Sequence, residues 1–312
     1  MVISSSTAPV VTGTGSRRAP ARRGPSRLLR TRWFWFAAPS LVLVLVFFVV
    51  PFVLNVPFAF SSWSGYTDVI SFVGIDNFAV MWERGILPNA LLVTVIYAVI
   101  AMTVQNVVSI SLALALRDTN RVNSFFRSVF FLPVLFSPLA AGYIWRAIVS
   151  SDGPVNSVIG WFSPGFDFAW LGNPATALFT VAFVDAWKWC GIATLVYIAG
   201  LNSIPQSMLE AASLDGAGAW QRFWRVVFPL LAPAFTFNIV TTLIGALSAY
   251  DVVASTTGGG PGISTVTLNM AAVQQFGLSY FGTASSLNLS VTVLVVVIAV
   301  PLVAWLRKRE VA

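Results

Sequence analysis

The stretch Glu210-Ala211-Ala212-Ser213-Leu214-Asp215-Gly216-Ala217, running on to Phe228-Pro229, is polar yet lies between two long apolar segments. Ser203 can cap a helix here, with Gln206 completing a capping box and Pro205 in the first turn. Ile204, Met208, Ala211 and Ala212 fall at roughly helical spacing and predict one apolar face. Asp215-Gly216 ends the helix, because glycine accepts the left-handed conformation that side chains resist. A second amphipathic turn follows, with Trp220, Phe223, Trp224 and Val227 on one side and Pro229 closing it. The expectation is a short helix, a glycine joint and a second short helix at the foot of a membrane segment.

Composition places the rest of the chain. Of 312 residues, 57% are hydrophobic and only 9% charged, and mean hydropathy is +0.83. A soluble domain carries about 25% charged residues, so this chain lacks the polar surface a soluble globule needs and belongs in lipid. There is no His and a single Cys, Cys190. That excludes an imidazole metal site, a His base and an internal disulfide. The formal charge of +7 invites a nucleic-acid reading, which the placement of the cations removes.

Residues 1–30 form a basic, Ser-, Pro- and Gly-rich tail that cannot bury a core and is expected to be disordered. Residues 31–312 form one transmembrane domain. Six segments are long enough to cross a hydrocarbon core of about 30 Å, which takes about 20 residues: Trp33–Val56, Ala90–Leu116, Phe125–Val149, Ala175–Leu201, Leu230–Val253 and Leu287–Leu306. Unbroken apolar runs argue for helices rather than a barrel. The fold class is therefore all-α, a polytopic membrane protein with six transmembrane helices.

Lys and Arg placement orients the spans. Fifteen of the eighteen lie in the N-terminal tail, the second-to-third connection, the 202–229 loop and the C-terminus. The remainder are Arg84, Arg146 and Lys188. Both termini and the Glu210 loop are expected on the cytoplasmic side.

Glu210-Ala211-Ala212, Gly216 and Pro229 resemble the E-A-A-x-x-x-G…I-x-L-P loop of the integral membrane subunits of ABC importers. Val226 and Phe228 replace the usual Ile and Leu. Asp215-Gly216-Ala217 with Trp220-Gln221-x-Phe223 is similar to the sugar-importer branch, of the maltose and glycerol-phosphate type. Two outer elements point the same way. Phe72-Val73-Gly74-Ile75-Asp76-Asn77-Phe78 is similar to that family's F-x-G-x-x-N-F, and Asp152-Gly153 with Asn156 to its D-G-x-x-N. Both are also plain turn sequences. Gly259-Gly260-Pro261 with Ser264-Thr265 resembles the branch's G-G-P-x-x-S-T signature. A phosphate cradle is excluded there, since a P-loop needs a Lys after its last Gly. Tyr250-Asp251 stands where the family commonly has Phe-Asp.

The resemblance implies the type I importer permease fold and a sugar as solute. It implies a heterodimer with a second permease, two cytoplasmic ATPase subunits and a solute-binding protein outside. In that family the Glu210 loop is the coupling helix, so Glu210, Ala211, Ala212, Asp215 and Gly216 become the ATPase-coupling candidates. No Walker motif and no Ser-His or Cys-His pairing occurs in the sequence. The chain is expected to have no catalytic residues, cofactor or metal, to reside in the bacterial plasma membrane among lipid, and to bind no nucleic acid.

Asp185 and Lys188 are charges inside the fourth span, with Asp185 about 15 Å deep at about 1.5 Å per residue. Such charges face a cavity or a partner. At i, i+3 they can pair, either as a structural tie or as part of the substrate path together with Trp187, Tyr250 and Asp251. Gln105 and Asn106 are expected to bond a neighbouring helix, with a sugar hydroxyl as the other option. The rival readings are the same architecture for glycerol-phosphate or a polyamine, and a secondary transporter, which should show an internal repeat. No repeat of the Glu210 motif is seen.

Overall fold

The computed structural model describes residues 37–310. The basic tail and Trp33 lie outside the described residues. The chain divides into two units, residues 1–52 and 53–312. In the first, the described residues are helical and their apolar side chains, Leu41 to Val50, are exposed.

Four helices are long and apolar enough to cross a membrane unbroken: α1 (Ala37–Ala59), α3 (Ile86–Ala115), α7 (Pro174–Asn202) and α13 (Phe281–Glu310). Between α1 and α3 lies the short α2 (Asp76–Glu83). Two further spans are broken pairs. Helix α4 (Arg121–Phe131) runs through a 3₁₀ turn at Leu132–Leu135 and meets α5 (Pro138–Ile148) at 104°. After α6 (Pro154–Gly160), α7 and α8 (Gln206–Leu214), helix α9 (Ala219–Leu230) meets α10 (Ala232–Leu247) at 68°. Helices α11 (Asp251–Thr256) and α12 (Leu268–Gly277) precede α13. Among the described residues there is no strand; an isolated bridge pairs Ser61 with Phe72. The all-α polytopic class holds, with four to six spans according to how each broken pair is counted.

The breaks correct two sequence expectations. Phe125–Val149 is not one helix. Proline lacks the N–H and crowds the preceding turn, and Pro133 and Pro138 bracket an extended Phe136 with ψ 146°. Ser137 then restarts the helix, its hydroxyl accepting from the Ala140 N–H at 3.1 Å. Likewise Leu230–Val253 is not one helix: α10 stops at Leu247 and α11 begins afresh at Asp251. The Thr267 hydroxyl donates to the Ala249 carbonyl at 3.1 Å and the Asn269 amide to Ser248 at 2.7 Å, so the freed carbonyls at this gap are satisfied by side chains.

Lipid tails are as apolar as Leu, so close approach and polar ties hold such helices together. Helix α7 illustrates both. A Cβ on Gly191 would stand 2.5 Å from the Phe130 carbonyl oxygen and 2.9 Å from Phe131 Cα, so only glycine lets the α4 end lie against it. Ser109 of α3 donates to the Cys190 carbonyl at 3.0 Å. Asn238 of α10 donates to the Ala193 carbonyl at 3.1 Å. One apolar cluster, including Tyr97, Val184, Leu247 and Leu287, joins α3, α7, α10 and α13. A second, with Tyr197, Leu201, Val227 and Leu231, binds α3, α7 and α9 at the end that carries the Glu210 loop.

Candidate functional site

The Glu210 loop folds largely as a helix, a joint and a helix. Gly216 has φ 78°, and its N–H donates to Ser213 while Ala217 N–H donates to Ala212, closing α8 in the left-handed cap that glycine permits. Arg222 of α9 reaches back to the Ser213 hydroxyl at 2.8 Å, tying the two helices. Four details differ from expectation. The capping box does not form: Ser203 instead donates to the Gly200 carbonyl at 2.7 Å, and Pro205 precedes α8 with no side-chain cap. The buried face of α8 is not the expected one, for Leu209 packs inward with Ile204 and Phe223, while Met208 and Ala211 are exposed. Pro229 does not close the second helix, which runs to Leu230. Proline is tolerated here beside the π-helical turn Phe223–Val227, where backbone bonding already departs from the α pattern. Nor do the four apolar residues share one side: Phe223 and Val227 face the core, and Trp220 and Trp224 face out.

The exposed side of α8 gathers Glu210, Ala211, Asp215 and Gly216, with Ala212 half-buried. Leu214 is 90% exposed, a large apolar residue that no described residue covers. Beside it runs a groove of about 500 Å³ that Arg117, Glu210 and Arg222 help line.

A second site lies where α7, α10 and the α10–α11 gap meet. Asp185 is eleven residues beyond Pro174 in α7, about 16 Å along the axis. It lines a cleft of about 460 Å³ with Gln105, Trp189, Asn238, Tyr250 and Asp251. The break after Leu247 is what turns Tyr250 and Asp251 into this space. Of the substrate-path candidates, Asp185, Tyr250 and Asp251 are therefore brought together. Trp187 is not among them; its ring packs edge-on to Trp145 at 5.4 Å. Lys188 is also elsewhere, at 1% exposure, with its Nζ 3.7 Å from the Trp189 ring centroid.

The expected Asp185–Lys188 ion pair does not form. Among the described residues the ion pair is Arg117–Asp118, at 3.7 Å. One turn along a helix brings Cβ atoms together, but Trp189 offers the ammonium a closer face. Tyr97 adjoins Asp185, though its buried hydroxyl makes no hydrogen bond of ordinary geometry. Gln105 and Asn106 part company. Asn106 does bond a neighbouring helix, accepting from the Tyr197 hydroxyl at 2.6 Å, whereas Gln105 lines the cleft. Asn238 was not singled out as a site residue from sequence; only its position across from Asp185, set by the crossing of α10 with α7, marks it, whereas Trp189 lies one turn along α7 from Asp185.

The outer elements are well-tied turns. Asn77 donates to the Ala59 and Ser61 carbonyls, each at 2.9 Å. Asn156 donates to Ser151 and Phe168 and accepts from the Trp170 indole at 2.7 Å. In the glycine loop Gly258, Gly259 and Gly262 have positive φ. Buried Thr265 donates to the Gly260 carbonyl at 2.8 Å and shares a 2.7 Å bond with Thr257. Gly260 and Pro261 line a cavity of about 370 Å³ with Arg146; Gly259 does not line it.

Apolar spans broken at proline, a polar cleft among them and an exposed amphipathic loop at one end together define a membrane transport component. Residues 105–310 match the family described as binding-protein-dependent transport system inner membrane component, and the chain belongs to it. It is 32% identical over 285 residues to the probable starch degradation products transport system permease protein AmyD of Thermoanaerobacterium thermosulfurigenes, covering 89% of this chain and 95% of that one. It is also 32% identical over 280 residues to the sn-glycerol-3-phosphate transport system permease protein UgpA of Rhizobium meliloti, covering 85% and 90%. Its fold matches a chain in the crystal structure of a bacterial ABC transporter that imports the acidic polysaccharide alginate. There the TM-score is 0.75 at 19% identity, covering 90% of this chain and 98% of that one. The chain is thus a multi-pass membrane permease subunit of the ABC importer type.

Proposed function

We propose that this chain conducts a sugar across the plasma membrane as one half of a heterodimeric permease, with both termini in the cytoplasm. Its partners are a second permease, two ATPase subunits below and a solute-binding protein outside. The observation that carries the solute half of this reading is the cleft. Its volume lies within the range of about 300–1,000 Å³ usual for small-molecule sites. It offers the aromatic surfaces of Trp189 and Tyr250 beside the polar groups of Asp185, Asp251 and Gln105. Aromatic faces suit the C–H side of a sugar ring, and carboxylates and amides suit its hydroxyls.

Energy enters at α8. ATP closes the nucleotide-binding subunits, the docked α8 moves, and the spans exchange an inward-open for an outward-open arrangement. Only a difference in contacts between the two states can drive that exchange, and the uncovered Leu214, Ala211 and Glu210 supply the surface on which it acts. The broken spans α4–α5 and α9–α10 are joints at which such a movement is absorbed.

The test is ATP-driven uptake in proteoliposomes that hold the complete importer, with a panel of neutral sugars, glycerol 3-phosphate and a polyamine. Sugar uptake that needs both ATP and the binding protein supports the reading. Uptake of glycerol 3-phosphate or the polyamine alone replaces the sugar and keeps the importer. Uptake without ATPase subunits removes both.

A further inference from the structure

The charge of the cleft narrows the solute further, on the footing that the chain is a sugar permease. The lining carries two carboxylates, Asp185 and Asp251, and neither Lys nor Arg. The cation one turn from Asp185, Lys188, is 1% exposed, rests on the Trp189 ring at 3.7 Å and does not reach the lining. Among fixed charges the space is therefore acidic. An acidic solute brought into it meets two like charges and no lining cation, which disfavours anions.

The neutral polar groups divide into committed and free. Asn238 is committed, donating to the Ala193 carbonyl. Gln105 is not. It is 8% exposed, lines the cleft, and no hydrogen bond among the described residues engages its amide. Among the described residues the buried polar atoms without a partner are on Tyr97, Trp145 and Ser264, so the Gln105 amide instead opens to the cleft and is free to bond what enters. An amide donates and accepts at once, as does a sugar hydroxyl.

We propose that the cleft is a site for an uncharged sugar, in which Gln105 reads ring hydroxyls while Asp185 and Asp251 turn acidic solutes away. In this it would differ from the importer that shares its fold and carries acidic alginate, and from the relative named for sn-glycerol-3-phosphate.

The test is equilibrium binding to the complete permease–ATPase assembly in nanodiscs, without the binding protein, so that selection by that protein does not enter. The probes are radiolabelled neutral disaccharides, maltose among them, each paired with its uronic-acid counterpart. At least one neutral sugar should bind tenfold or more tightly than its uronate. Gln105→Ala should weaken the neutral sugar by about tenfold, and Asp185→Asn with Asp251→Asn should narrow the gap by at least tenfold. A uronate that binds the unaltered assembly as tightly as the neutral sugar would overturn the proposal, with no variant needed. So would a gap unchanged in the double Asn variant. Binding of no sugar, with ATP-driven uptake of a polyamine instead, is a different failure: it sinks the sugar reading on which the proposal stands.

Discussion

The Tyr197 hydroxyl of α7 donates a 2.6 Å hydrogen bond to the Asn106 side chain of α3, both residues buried. Asn106 in turn donates through its amide to the Met102 carbonyl one turn back, at 2.8 Å. The pair thus closes a polar chain across the two helices. Tyr197→Phe keeps the ring and leaves the Asn106 oxygen without its donor. The expected loss is about 1 kcal/mol, the scale of interhelical hydrogen bonds in membranes. Reversible unfolding in mixed micelles measures it, and an unchanged midpoint would show that water or lipid replaces the bond freely.

Lys188 rests on a ring, while Asp185 acts on it through space without an ion-pair contact. Trp189→Leu removes the face its ammonium rests on, a contact of about 2 kcal/mol when desolvated, and strands a charge at 1% exposure. Trp189→Leu alone should therefore destabilise more than Trp189→Leu combined with Lys188→Met. Thermal unfolding of Trp189→Leu, Lys188→Met and the double variant decides this. If the double variant is the less stable by the sum of the two single losses, the ring and the cation are not coupled.

Gly191→Ala tests the close approach of α4 to α7. The added carbon meets backbone at 2.5 and 2.9 Å, and backbone cannot rotate aside as a flexible side chain can. Overpacking of this kind costs about 1–3 kcal/mol. A lowered unfolding temperature, with the variant still reaching the membrane, is the expected result. Full stability would mean that the α4 end is free to shift.

What sequence could read and what it could not divides along physical lines. Apolar length is a local property, so Ala90–Leu116 and Ala175–Leu201 were found as helices α3 and α7 to within a few residues. The Gly216 joint was legible because positive φ is a demand that glycine alone meets cheaply. The breaks near Phe136 and Ser248 were not, although Pro133 and Pro138 stood in plain view. Proline bends or ends a helix according to what else can satisfy the freed backbone, and here that is Ser137, Thr267 and Asn269, the last two far along the chain. The Asp185–Lys188 pairing failed for a related reason. Spacing says who can meet, whereas the choice between Asp185 and Trp189 depends on where each side chain is buried. Gln105 and Asn106 are neighbours of one type. Only the crossing of α3 with α7 sends one to Tyr197 and the other to the cleft.

The coupling role proposed for α8 is tested most directly at Gly216. Its φ is 78°, yet nothing lies within 4 Å of where a Cβ would stand. A side chain there meets no clash and only the backbone conformation resists it. Asn visits the left-handed region readily, whereas a β-branched residue loses about 1 kcal/mol or more and re-aims the helix. The deciding measurement is ATP hydrolysis by the reconstituted importer, stimulated by solute-loaded binding protein, for Gly216→Asn and Gly216→Val at matched membrane levels. The expected result is that Gly216→Asn retains most of the stimulation and Gly216→Val loses most of it. Equal, near-normal stimulation in both would contradict the account and leave this loop a mere connector.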